Sequence, residues 1–133
     1  MTRILTGQCL CGGVTYSLPD RFAYALICHC SQCRRATGSA SKPFGGIPLD
    51  DLKVTKGADL LTSYGDAEAQ DRRCGTCGSL LWSVVREGKW AHVALGTLTD
   101  TPSTRPTAHI FAGSKADWEV IADDLPQFEA FPE

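Results

Sequence analysis

The sequence has no long hydrophobic run. Its longest apolar stretches, Leu80 to Val85 and Ala91 to Leu95, fall far short of the roughly 20 residues that span a bilayer as a helix, which excludes a membrane helix. It also lacks an excess of charge of one sign: 13 Lys and Arg stand against 15 Asp and Glu, a net charge of −2. Without a basic field there is no electrostatic footprint for a nucleic-acid partner. Repeats, linkers and low-complexity tracts are absent, and 43% hydrophobic with 21% charged residues is the composition of a soluble globular chain. The stretch Met1 to Cys9 is too poor in apolar residues for a secretory signal, so a cytoplasmic, reducing setting is expected. At 133 residues the chain reads as one domain over 1–133. That length buries about two-thirds of the unfolded surface and does not require a metal merely on account of size.

Cysteine, by contrast, is plentiful, with seven in the chain. The stretch Cys28-His29-Cys30-Ser31-Gln32-Cys33 offers three thiols in close succession. In extended backbone, side chains alternate with period two, so Cys28 and Cys30 share a face, and the Cys-x-x-Cys spacing folds Cys33 back toward them. Structural zinc takes four protein ligands, whereas catalytic zinc keeps a position open for water or substrate. A three-thiol cluster points to the open kind. The remaining thiols, Cys9 with Cys11 and Cys74 with Cys77, form two chelating pairs, and Gly78 supplies the small residue that a tight zinc knuckle needs. Together they make a closed four-sulfur site stapling the start of the sequence to its middle. Two zinc ions per chain are expected, and the loaded protein should be distinctly acidic, since seven thiolates outweigh two divalent cations.

Three other readings compete. Disulfides need an oxidising compartment and leave one of seven thiols unpaired. A redox pair at Cys74 and Cys77 explains neither Cys9 nor Cys11. A single structural zinc with three buried cysteines is the strongest competitor, because free cysteine is commonly buried; against it, core cysteines seldom fall at this spacing.

The rest of the sequence reads as short strands. Val14 to Leu18, Phe22 to Ile27, Leu52 to Thr55, Leu60 to Tyr64, Leu80 to Val85 and Trp90 to Gly96 carry the alternation or the β-branched and aromatic content of strands. Ser31 to Thr37 reads as a turn or short helix before Gly38, and Glu87-Gly88 as a hairpin turn. Between Lys42 and Gly57 the prolines and glycines Pro43, Gly45, Gly46 and Pro48 suggest turns around short edge segments. The last third suggests a coil-rich tail wrapped over a sheet, with one helical turn near Lys115 to Trp118. The expected fold is mostly β with little helix.

Several side chains near the cysteines invite a role. Arg34 and Arg35 either neutralise the thiolate site or face solvent, or they hold a substrate carboxylate in a bidentate pair. Phe44, in a small-residue stretch, either lines a pocket or packs beneath it. His29 lies between two ligands, where period-two geometry turns it away from their metal and toward a hydrogen bond with its surroundings. His92 reads as a sheet-face histidine rather than a ligand.

The ordered set Gly7-x-Cys9-x-Cys11-Gly12, Cys28-His29-Cys30-x-x-Cys33-Arg34, Arg73-Cys74-x-x-Cys77-Gly78-Ser79 and His109-Ile110-Phe111 resembles the glutathione-dependent formaldehyde-activating enzyme family, also called the centromere protein V family. The resemblance implies a β-tent fold of short antiparallel sheets built around zinc knuckles. It also implies a structural zinc on Cys9, Cys11, Cys74 and Cys77 and a catalytic zinc on Cys28, Cys30 and Cys33. The implied reaction joins glutathione to formaldehyde as S-hydroxymethylglutathione, classed as a carbon-sulfur lyase in the reverse sense. An open zinc suits that chemistry in two ways: it lowers the pKa of a thiol that occupies its fourth position, or it polarises the aldehyde oxygen. The expected partners are then a small thiol and a small aldehyde. Two alternatives remain beside it: a non-catalytic zinc module that binds a protein partner, and a zinc-scaffolded reductase resembling methionine sulfoxide reductase B. The sequence carries no signal for oligomeric state.

Overall fold

A computed structural model describes residues 2–132. Its strands are β1 (Ile4–Gln8), β2 (Thr15–Pro19), β3 (Tyr24–Cys28), β4 (Lys42–Pro48), β5 (Lys53–Lys56), β6 (Leu61–Gly65), β7 (Gln70–Cys74), β8 (Leu80–Val85), β9 (Trp90–Ala94) and β10 (His109–Ile110). The single α-helix, α1, is Ser31–Thr37. A small sheet runs in the order β1-β2-β5 and a larger one in the order β10-β3-β4-β9-β8-β7-β6. Every pair is antiparallel except β10 with β3. The chain is mostly β, as expected, and no helix among the described residues is long and apolar enough to cross a membrane.

Strand alternation gives the large sheet two unlike faces. One face carries Ile47, Trp82, Val84, Ala91 and Val93, all buried, which pack with Leu5, Tyr16 and Leu18 from the small sheet into the main core. Tyr16 ties the two sheets together: its ring meets Trp82 edge-on at 5.6 Å and its hydroxyl lies 2.7 Å from Thr97 Oγ1. Burial pushes the Tyr16 phenol up to about 12, so that partner is needed to satisfy it. The opposite face carries Tyr24, Leu26 and Cys28 of β3, Lys42 and Phe44 of β4, Ser83 and Val85 of β8, His92 of β9 and Asp71 of β7. The small sheet does not cover this face, and the candidate site lies on it.

The structure corrects the reading of Pro43 to Pro48 as turns around edge segments. These residues form β4, in the middle of the large sheet between β3 and β9. Both prolines are tolerated because each is paired on one side only, Pro43 with Ile27 and Pro48 with Trp90. The glycines are tolerated because aromatic rings occupy the missing side-chain space. A Cβ on Gly45 would strike the Phe22 ring, and one on Gly46 the Tyr24 ring.

The hairpin turn falls where expected, with Arg86, Glu87 and Gly88 at φ of 53°, 60° and 83°. The helical turn expected near Lys115 to Trp118 is displaced: a 3-10 turn occupies Ala112–Ser114 instead, and Trp118 is exposed. The tail is otherwise coil laid against the sheet. It is held by backbone hydrogen bonds from His109 to Pro126 (2.9 Å), from Phe128 to His109 (2.9 Å) and from Phe111 to Ala130 (3.0 Å).

Candidate metal centre

The two chelating pairs expected to form a closed site do converge. Cys9 and Cys11 leave the end of β1, Cys74 closes β7, and Cys77 sits in the turn before β8; their four sulfurs all lie within 4.8 Å of one another. Cys9 and Cys11 are 3.6 Å apart and Cys11 and Cys74 are 3.8 Å apart, sulfur to sulfur. Tetrahedral zinc at about 2.3 Å from each sulfur requires edges of about 3.8 Å, so the residues fit that ion. Backbone amides support them: Val14 donates to Cys9 Sγ (3.3 Å), Gly13 to Cys11 Sγ (3.4 Å) and Thr76 to Cys74 Sγ (3.4 Å). Such donors stabilise thiolate over thiol. Cys77 is drawn down to about 5, chiefly by hydrogen bonds from Ser79.

Cys28, Cys30 and Cys33 form the second cluster, with their sulfurs also within 4.8 Å of one another. Among the described residues no histidine, aspartate or glutamate joins them as a fourth ligand. Cys28 ends β3, Cys30 caps α1 and Cys33 stands in its first turn, where its amide donates to Cys30 Sγ at 3.2 Å. Gly38, at φ 65°, ends the helix in the left-handed conformation that glycine adopts without strain. The thiols polarise one another. A hydrogen bond from Cys33 draws Cys28 down to about 6, with help from Cys30 and the Lys42 charge against the cost of burial, while Cys33 is pushed up by the same thiols. One thiolate is thus favoured and further ionisation opposed, a balance that a soft cation bound by all three sulfurs would reverse.

Arg73 couples the clusters mechanically. Its guanidinium donates to the Gly78 carbonyl of the knuckle at 3.1 Å and to the Ala36 carbonyl of α1. One side chain thus clamps the helix bearing Cys33 to the turn bearing Cys77.

Beside the three-thiol cluster, two recesses on the site face share Val85 and His92 as walls. The smaller, about 310 Å³, carries the polar and charged groups of Cys33, Lys42, Asp71 and Ser83. Lys42 Nζ donates to Ser83 Oγ (2.7 Å), which donates to Asp71 Oδ1 (2.6 Å); burial lowers the Lys42 pKa, opposed by the neighbouring thiolates and Asp71. The larger, about 900 Å³, is apolar and includes Leu26, Phe44, Ile110 and Phe128. Phe44, Ile110 and Cys28 form one buried cluster with Cys30 and Cys33 packed against it, so the apolar recess abuts the thiols.

The structure thus brings Phe44 to the site as a wall residue. Arg35, exposed on α1, borders a third recess with Gln32, Tyr64, Asp71 and Arg73. Arg34 borders none of these recesses, and its Nε is buried without a partner. His29 turns from the sulfurs to His109, and His92 stacks on Phe44 at 4.1 Å with its Nε2 2.7 Å from the Tyr24 hydroxyl. Sequence reasoning missed Lys42, Ser83, Asp71 and Arg86. Lys42 shares its face with Phe44, and that alternation would have exposed it had Lys42 to Pro48 been read as a strand.

The sequence matches the family described as glutathione-dependent formaldehyde-activating enzyme over residues 4–114. Among solved structures it is similar to the crystal structure of a Rhodobacter sphaeroides protein determined by structural genomics. The two are 30% identical with a TM-score of 0.60, over 74% of this chain and 91% of that one. No curated protein matches it. The matched span holds every cysteine of both clusters, and the chain belongs to the glutathione-dependent formaldehyde-activating enzyme family.

Proposed function

We propose that the chain is a zinc-dependent carbon-sulfur lyase that adds a glutathione-like thiol to a small aldehyde such as formaldehyde. Cys9, Cys11, Cys74 and Cys77 would hold a structural zinc, and Cys28, Cys30 and Cys33 a second one with an open position. The observation that carries this reading is the contrast between four converging sulfurs in one cluster and three, with no fourth side chain, in the other. The second zinc would supply Lewis acidity and a lowered thiol pKa.

The chain's own groups supply the surroundings. In the forward direction a carbon-sulfur bond forms, the carbonyl π bond breaks, and the thiol proton ends on the new hydroxyl. Lys42, held by Ser83 and Asp71, faces the recess that Cys33 borders and places positive charge where the carbonyl oxygen gains negative charge. Phe44 presents an apolar wall on the side of the larger recess. Arg35, beside Arg73, suits a thiol substrate's carboxylate, whereas Arg34, its neighbour on α1, borders none of these recesses. A non-catalytic zinc module would instead require the second cluster to be closed, which no described side chain does.

The test is formation of the S-hydroxymethyl adduct from glutathione and formaldehyde, followed by exchange NMR on zinc-loaded protein. Catalysed exchange that disappears in Cys30→Ser, with the far-UV spectrum retained, is the expected result. Exchange no faster than the uncatalysed reaction, or full activity in Cys30→Ser, overturns it.

A further inference from the structure

The apolar recess is far larger than formaldehyde requires. About 900 Å³ lined by Leu26, Phe44, Ile110 and Phe128 is the volume and character of a site for a drug-sized ligand. No aspartate or glutamate lines it among the described residues, and its one formal cation is Arg86. That guanidinium sits 5.1 Å from the ring centroids of both Tyr24 and Trp90, which themselves stack at 5.8 Å. Arg86 takes part in none of the ion pairs among the described residues. It also occupies a left-handed position in the hairpin turn, φ 53°, a conformation costly for a long side chain. The fold therefore places an exposed cation, resting on two aromatic rings and outside any ion pair among the described residues, at one end of an apolar chamber.

No cysteine among the described residues lines the chamber itself; Phe44 and Ile110, which do, pack directly on Cys28, and strand register sets the distance from Arg86 to that cluster. Cys28 pairs with Lys42 and Tyr24 with Gly46, and four residues of strand span roughly 13 Å. A molecule that touches Arg86 and the three-thiol cluster together must bridge that length through apolar walls.

We propose that this chamber binds the body of the aldehyde substrate, an alkyl or aryl aldehyde that ends in a carboxylate. The carboxylate pairs with Arg86, the hydrocarbon lies along Leu26, Phe44 and Ile110, and the carbonyl carbon points toward Cys28 and Cys33. This rests on the thiol-addition reading above. Glutathione, a polar peptide, suits the recess that Arg35 borders with Asp71 and Arg73 rather than the space between apolar walls.

The test separates binding from turnover. Nonanoate, which has the carboxylate and chain but no aldehyde, is titrated calorimetrically into zinc-loaded protein, with nonanamide as its uncharged match. Saturable binding of nonanoate is expected, weakened about tenfold in Arg86→Gln, with nonanamide binding changed by less than about twofold. Adduct formation with glutathione is then compared for 9-oxononanoate and formaldehyde, and a higher kcat/KM is expected for the long aldehyde. Failure of nonanoate to saturate, an unchanged affinity in Arg86→Gln, or displacement of nonanoate by glutathione overturns the proposal. So does turnover of formaldehyde without turnover of 9-oxononanoate. Arg86-dependent nonanoate binding with no adduct from either aldehyde supports the chamber's ligand class and sinks the thiol-addition reading instead.

Discussion

His29 Nε2 lies 2.8 Å from His109 Nδ1, and His109 Nε2 lies 3.0 Å from both carboxylate oxygens of Asp123. With both rings neutral, the partners set the tautomers. The Asp123 carboxylate, held low by its hydrogen bond with His109, can only accept, so a neutral His109 donates from Nε2 and accepts at Nδ1, and His29 donates from Nε2. His29 therefore keeps a bare lone pair on Nδ1, which is buried and without a partner.

His109→Leu should remove the acceptor for a buried N–H and destabilise the zinc-loaded protein by about 1–3 kcal/mol. Asp123→Asn keeps an acceptor oxygen and should cost about 1 kcal/mol or less. Urea midpoints of the two variants check the order. Equal midpoints would show that the relay orients nothing.

Zinc stoichiometry should separate the clusters. Cys33→Ser is expected to leave one tightly held ion and a folded chain, whereas Cys11→Ser should lose the ion that staples β1 to β7 and β8, and much of the cooperative unfolding transition with it, because metal binding at a four-thiolate site contributes directly to folding. Elemental analysis with near-UV circular dichroism distinguishes these outcomes.

Acid should weaken the fold through His92. Burial, together with the Lys42 and Arg86 charges, draws its pKa from 6.5 down to about 3. The unfolded chain thus takes up a proton near pH 6.5 that the folded chain refuses until about pH 3. Stability present above pH 6.5 is lost as pH falls through that window, by up to roughly 1.4 kcal/mol per unit for this one group. At matched zinc loading, His92→Gln should flatten that limb of the stability curve; an unchanged slope would assign the acid sensitivity elsewhere.

Gly46→Ala should be disproportionately harmful for a single methyl. The added Cβ would meet the Tyr24 ring, which also stacks on Trp90 and contacts His92, so the ring must shift. A loss of about 1–3 kcal/mol is expected, read as a lowered urea midpoint. Weaker nonanoate binding should accompany it, since Arg86 rests on the same ring.

The grouping of the cysteines was legible in the sequence because their spacing is local: Cys28 to Cys33 lie on one strand end and the first turn of the helix after it, and each remaining pair is close in sequence. The wall beside them was not. Lys42 to Pro48 carries two prolines and two glycines, and local rules demote such a segment to a loop or an edge. What makes it a central strand is non-local: Phe22 and Tyr24 fill the space above the glycines. The polar chain from Lys42 through Ser83 to Asp71 was hidden for the same reason, since it crosses from β4 to β7 and no sequence period connects those strands. The hydrogen-bonding role expected of His29 was legible, but its partner His109, like Tyr24 for His92, lies on another strand.

The outer side of the apolar chamber, formed in part by Pro126, Phe128 and Phe131, belongs to neither sheet and hangs on a few backbone hydrogen bonds to the β10 region. Pro126 and Phe131 can be exchanged there without altering the cysteine spacing or the Arg73 clamp, whereas Phe128 packs against the cluster of Cys28, Phe44 and Ile110 and is kept. For anyone altering the ligand preference of this chamber, residues 126–132 other than Phe128 are the place to build a library, with the cysteine-bearing half left as a constant chassis.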